Sequence, residues 1–252
     1  MTFLTTRSLS KHFGGVIAAD ELDIQVDQGE IVSVIGPNGS GKTTLFNLIT
    51  GIYKPSKGSI VFRGEDITRR KTYEIINRGI ARTFQATRLF SQITVLENVM
   101  TGFHRRTGTG VLGALIKTGM SRREERETPQ RALEVLEFMR LGHTKDRPAA
   151  SISGAEQRRL MIAIALATNP HILLLDEPTA GVSAEEAKEL LELISEIQKR
   201  GIAILLIEHN MKVAMGISER MIVLNFGKKI AEGTPQEIAQ NEVVIEAYLG
   251  RD

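Results

Sequence analysis

One short run constrains this chain more than any other. Gly36-Pro37-Asn38-Gly39-Ser40-Gly41-Lys42-Thr43 lies between an apolar segment, Ile31-Val32-Ser33-Val34-Ile35, and a helical pattern over 43–50. Glycines let consecutive backbone N–H groups turn toward one anion. The helix that follows adds the positive end of its dipole. Strand, glycine-rich turn, Lys-Thr and helix together form the phosphate-binding loop pattern. Gly36, Pro37, Asn38, Gly39, Ser40, Gly41, Lys42, Thr43 and Thr44 are therefore candidate nucleotide-binding residues. Lys42 is placed to reach the β- and γ-phosphates, and the Thr43 hydroxyl to ligate Mg²⁺.

A second apolar run, Ile172-Leu173-Leu174-Leu175, ends in two adjacent carboxylates, Asp176 and Glu177. Ionised carboxylates at the end of a buried strand cost free energy unless they have partners. Beside a phosphate loop they have work: Asp176 in the Mg²⁺ shell, Glu177 as general base toward water. Around these runs, Leu22, Ile24 and Val26 alternate with polar residues as a half-exposed strand does. Strand patterns at 59–62, 202–207 and 221–224 and a helix over 184–199 complete a strand–helix repetition that implies a mostly parallel sheet. Helical spacing dominates 90–168, which reads as a subdomain inserted into one α/β core.

Composition narrows the function. Lys and Arg total 32 against 30 Asp and Glu, a net charge of only +2, with no large basic excess to hold nucleic acid. The absence of cysteine excludes disulfides, thiolate zinc sites and cysteine nucleophiles. The opening MTFLTTRSLSKHF has no signal-peptide run, and no stretch approaches the roughly 18 apolar residues of a membrane span. A cytoplasmic chain that does not itself cross a bilayer is expected. No Asn-Lys-x-Asp base-reading motif of a GTPase occurs.

Ser151-Ile152-Ser153-Gly154-Ala155-Glu156-Gln157 opens a helix upstream of Asp176. Here the chain resembles the ATP-binding subunits of ABC transporters, whose signature is Leu-Ser-Gly-Gly-Gln. Ala155 stands where that family has its second glycine. The resemblance covers the whole chain and is closest to the ATPase subunits of branched-chain amino acid importers. Its local marks are Arg82-Thr83-Phe84-Gln85, Arg88-Leu89-Phe90, Thr94-Val95-Leu96-Glu97-Asn98, Met215-Gly216-Ile217-Ser218 and Ala247-Tyr248-Leu249-Gly250. ATPases for urea uptake and lipopolysaccharide export share several of them, and soluble ABC ATPases acting on nucleic acid form another class. Those last carry coiled-coil insertions or zinc-binding cysteines that this sequence lacks.

The resemblance implies a fold and a mechanism. The fold is α/β, a P-loop core (1–87 and 161–252) with an N-terminal antiparallel β portion and an inserted helical subdomain (88–160). Gln85 is implied as a contact to Mg²⁺ or the attacking water, His209 as the switch histidine near the γ-phosphate, and Phe13 as the aromatic stacking on adenine. Ser153, Gly154, Ala155 and Glu156 are implied to act on the ATP of a second ATPase subunit, paired head to tail. The loop Ala180-Gly181-Val182-Ser183 ends in Ser where the family usually has Asp. Two transmembrane permeases, an external solute-binding protein and a peripheral position on the cytoplasmic face of the cell membrane are implied as well, and nucleic acid is not. The basic segment 104–128, with Arg105, Arg106, Lys117, Arg122, Arg123 and Arg126, reads as a mobile, solvated surface excursion, the alternative being contact with a membrane subunit or anionic lipid.

Overall fold

The computed structural model describes residues 1–83, 89–103 and 119–249, with backbone only for 119–126 and 249. Gln85 and residues 104–118 lie outside the described residues. The chain divides into two compact units, one of residues 1–82, 171–180 and 191 onward, the other of 83–170 and 181–190.

The first unit holds two sheets. Strands β1 (Thr2–Phe13), β2 (Val16–Asp27), β4 (Lys57–Phe62) and β5 (Glu65–Asp66) form an antiparallel sheet in the order β2-β1-β4-β5. The second sheet has the order β10-β9-β3-β8-β7-β6. It comprises β3 (Ile31–Ile35), β6 (Ile80–Arg82), β7 (Ile172–Asp176), β8 (Ala203–Ile207), β9 (Arg220–Asn225) and β10 (Lys228–Gly233). All its pairings are parallel except β9 with β10. The expected antiparallel portion and mostly parallel sheet are both present.

Side-chain parity builds the core. In β2, Leu22, Ile24 and Val26 are buried while Asp23, Gln25 and Asp27 are exposed, as alternation requires. β3, β7 and β8 are buried along their whole length, so both faces of the parallel sheet are covered. Val32, Val34, Ile222 and Leu224 face one cluster with Leu45, Phe46, Leu48 and Ile49 of α1 (Lys42–Ile49) and the inner residues of the antiparallel sheet. The odd-numbered Ile35, Met221 and Val223 face a second cluster. There they meet Ala214 of α7 (Met211–Ile217), Ile238 of α8 (Pro235–Ala239) and Val244 of α9 (Glu242–Leu249). The period of two thus assigns each face its helices. Because the strands are parallel, the carboxyl ends of β3, β7 and β8 share one edge, where ligands of open α/β sheets bind.

The second unit is helical: α3 (Val95–Phe103), α4 (Gly119–Phe138) and α5 (Gly154–Ala167), with the start of α6 (Ala184–Lys199); α2 (Thr72–Asn77) belongs to the first. Val95, Val99, Leu136, Met139, Leu160 and Ala163 are buried. Thr94 and Glu97 form a capping box at the start of α3. Fully buried Asn98 braces the preceding loop, accepting from Phe90 N–H at 3.0 Å and donating to Thr94 O at 2.9 Å. This unit takes in α5 whole and, after β7, residues 181–190. Residues 119–128 of the segment read as a surface excursion are helical backbone that begins α4.

Candidate functional site

The phosphate loop connects β3 to α1. Gly36 and Gly41 have φ of 146° and 105°. A Cβ on Gly36 would lie 2.0 Å from the Leu224 carbonyl oxygen, and one on Gly41 2.5 Å from that of Ala18. Backbone so tightly folded admits only glycine. No side chain caps the first turn of α1, which leaves its N–H groups to an anion. The Ser40 hydroxyl is buried with no hydrogen-bond partner. Lys42 is buried, and its Nζ donates to Gly36 O at 2.7 Å and Pro37 O at 2.9 Å. Burial pulls the Lys42 ammonium below the ordinary lysine range, while Glu177 and Asp176 push it back up. A glycine cradle, an orphaned hydroxyl and a buried cation fit a phosphate group.

The ends of β7 and β8 supply the acidic groups. Asp176 is buried and receives the Arg82 guanidinium on Oδ2 at 2.8 Å. Glu177 sits at φ 50°, a left-handed backbone that costs a non-glycine residue free energy and turns its side chain out of the strand direction. Its Oε1 lies 2.6 Å from His209 Nε2. Buried Glu208, one residue before His209, accepts from both the N–H and the hydroxyl of Thr179, at 3.2 and 2.7 Å. That pair fastens the turn after Glu177 to the end of β8. The phosphate loop, Asp176, Glu177 and His209 therefore come from adjacent parallel strand ends of one unit.

Phe13 ends β1 and is partly exposed. Tyr53 meets its ring edge-on at 5.1 Å between centroids, and Lys11 Nζ lies 4.8 Å from the ring centre. Ser153 is the exposed N-cap of α5, in the second unit. Its hydroxyl accepts from Glu156 N–H at 3.2 Å, and Glu156 Oε2 accepts from Ser153 N–H at 2.7 Å. Burial works to raise the Glu156 carboxyl, but these hydrogen bonds and His143 outweigh it and hold the group below its usual range. Ala155 is an ordinary helical residue, so the Cβ that replaces the family's glycine meets no backbone obstacle. Ser183 caps α6 in the same way, through Glu186. Ser and Asp are comparable N-caps, so the cap of α6 is kept with Ser at that position.

Sequence reasoning missed two residues, Arg82 and Glu208. A charged residue closing the short strand Ile80-Ala81-Arg82 was a signal for the first. Nothing in the local pattern distinguished the second.

Known proteins share the sequence pattern and the fold. The family model for ABC transporters matches residues 19–180, and that for the branched-chain amino acid ATP-binding cassette transporter matches 228–252. The chain is 45% identical over 248 residues to the high-affinity branched-chain amino acid transport ATP-binding protein LivG of Salmonella typhimurium, covering 98% of this chain and 97% of the relative. A crystal structure of a nucleotide-free ATP-binding cassette from an ABC transporter superposes with a TM-score of 0.87 at 34% identity, covering 100% of both chains. A dimeric bacterial ABC transporter cassette gives a TM-score of 0.77 at 27% identity, covering 92% of this chain and 98% of that one.

Proposed function

The chain belongs to the ABC transporter family, and on that footing we propose that it is the ATP-hydrolysing subunit of an importer for branched-chain amino acids. The observation that carries the chemistry is the Glu177–His209 pair, 2.6 Å apart, at the strand ends beside the Lys42 loop. Phe13 stacks on the adenine. The loop's N–H groups, Ser40 and Lys42 hold the triphosphate. No cluster of three or more His, Cys, Asp or Glu side chains suited to a metal occurs among the described residues. Thr43, Asp176 and Gln85 would hold the Mg²⁺ that accompanies a triphosphate, and the ion would neutralise charge on the phosphate oxygens. Glu177 accepts a proton from water as the water oxygen attacks the γ-phosphorus and the bond to ADP breaks. His209 holds the Glu177 carboxylate in line for that transfer.

The Ser153 hydroxyl accepts from Glu156 N–H and so retains its own hydrogen to donate to a phosphate oxygen of the ATP held by a second ATPase subunit. Gly154 and Ala155 add helix-start N–H groups, while the Glu156 carboxylate serves the cap. No helix among the described residues is long and apolar enough to cross a membrane. On the family footing, separate permeases form the pathway with the chain peripheral on the cytoplasmic face, and the C-terminal family match favours branched-chain amino acids as cargo. The test is uptake of labelled leucine by cells lacking this chain, complemented with the native protein or with Lys42→Ala. Rescue by the native chain alone is expected. Unimpaired leucine uptake with lost urea uptake or lipopolysaccharide export would reassign the cargo. ATP hydrolysis stimulated by DNA and not by permeases would overturn the class.

A further inference from the structure

Arg82 lies outside every role assigned so far, yet it is among the best-held side chains near the site. Its side chain is 5% exposed and that of Asp176 3%. One guanidinium nitrogen donates to Asp176 Oδ2 at 2.8 Å and the other to Asn47 Oδ1 at 2.6 Å. The guanidinium also stands 5.4 Å from the ring centre of Phe46. Asn47 and Phe46 belong to α1, the helix that the phosphate loop opens. A planar, forked cation holding two fixed acceptors sets the orientation of both. Asp176 itself is 94 residues away in sequence and reaches Arg82 through the parallel pairing of β6 with β7.

We propose that Arg82 is a positioning residue for Asp176, fixing the carboxylate that serves the Mg²⁺ of bound ATP and tying it to the phosphate-loop helix. The proposal rests on the reading of Asp176 given above. Arg82 is assigned an action through Asp176 alone. It holds Asp176 Oδ2 in place, so the carboxylate meets the metal shell without first reorienting. Lysine keeps the charge but lacks the planar fork that holds Asn47 and Asp176 on separate nitrogens.

The test is ATP binding by calorimetry in Mg²⁺ and in EDTA, in a Glu177→Gln background so that ATP persists. Arg82→Met is expected to leave affinity in EDTA within about twofold and to lower affinity in Mg²⁺ by about tenfold or more, the range of a lost charged hydrogen bond. Arg82→Lys should fall between. In an Asp176→Asn background, Arg82→Met should add no further loss, because the group it positions is already gone. That double variant also removes both members of the ion pair, so neither is left behind as an unpaired partner, and it remains informative if Arg82→Met alone does not fold. The proposal is overturned by an unchanged Mg²⁺-dependent gain in Arg82→Met. It is overturned equally by losses of the same size in EDTA and Mg²⁺, or by a further loss in the Asp176→Asn background. If Asp176→Asn in the Glu177→Gln parent keeps the full Mg²⁺-dependent gain, the reading of Asp176 fails and this inference with it.

Discussion

Replacing His209 by Ala removes the 2.6 Å partner of Glu177 and nothing from the phosphate loop. The magnitude follows from burial. A hydrogen bond to a charged group contributes about 1.5–3 kcal/mol when shielded from water, and exposed pairs contribute about 0–1. The Glu177 side chain is 15% exposed and that of His209 41%, which places the pair between those limits, at about 1–2 kcal/mol. If that interaction is realised in the transition state, turnover falls by about 5–30-fold. Glu177→Gln removes the base itself and should lower turnover by about 10²-fold or more. Because both substitutions act on one carboxylate, their effects should not add: His209→Ala in the Glu177→Gln background is expected to change the residual rate by less than about threefold. Phosphate release at saturating ATP and Mg²⁺ measures all four corners of the cycle. A loss from His209→Ala as large in the Glu177→Gln background as in the native one would refute the reasoning. His209 would then act on the phosphate independently of Glu177.

Lys42→Ala should bind ATP weakly by calorimetry, since the buried ammonium is the one positive side chain of the loop; native-like affinity would remove the loop from nucleotide binding. Ala155→Gly is expected to cost up to about 1 kcal/mol in chemical denaturation, because Ala155 is helical and no left-handed backbone awaits relief; ATP-driven dimerisation on size exclusion should be unchanged. Ser153→Arg should bind ATP but hydrolyse it poorly, and mixing it with Lys42→Ala should partly restore activity through one composite site; full activity of Ser153→Arg alone would exclude a signature acting on a partner. The helix-capping carboxylates Glu97, Glu156 and Glu237 all titrate below their usual range. A depressed carboxylate contributes stability above its unfolded pKa and loses it as pH falls through the folded value. The unfolding midpoint should therefore drop below about pH 4.3, and less steeply in Glu156→Gln; no difference between the two would show that the cap does not couple to folding.

The residues that declared themselves in sequence are those whose geometry is local. A glycine loop between a buried strand and a helix is a short-range arrangement, and its φ values of 146°, 79° and 105° at Gly36, Gly39 and Gly41 are what such a run of glycines allows. The same holds for the alternation of β2, the buried run ending in Asp176 and Glu177, and the helix opened by Ser153 three residues before Glu156. What each group meets was settled elsewhere. His209 reaches Glu177 from 32 residues away, Thr179 reaches Glu208 from 29, and Arg82 reaches Asp176 from 94. Glu156, which in sequence stands among residues acting on a partner's ATP, spends its carboxylate on a cap and on His143. Periodicity reports which face of a strand is buried, but not which strand lies beside it. Only the order β3-β8-β7-β6 brings the carboxyl ends of β3, β8 and β7 to one edge and sets Arg82 against Asp176, because hydrogen-bonded pairing between strands is fixed by the packing of the whole sheet and its covering helices.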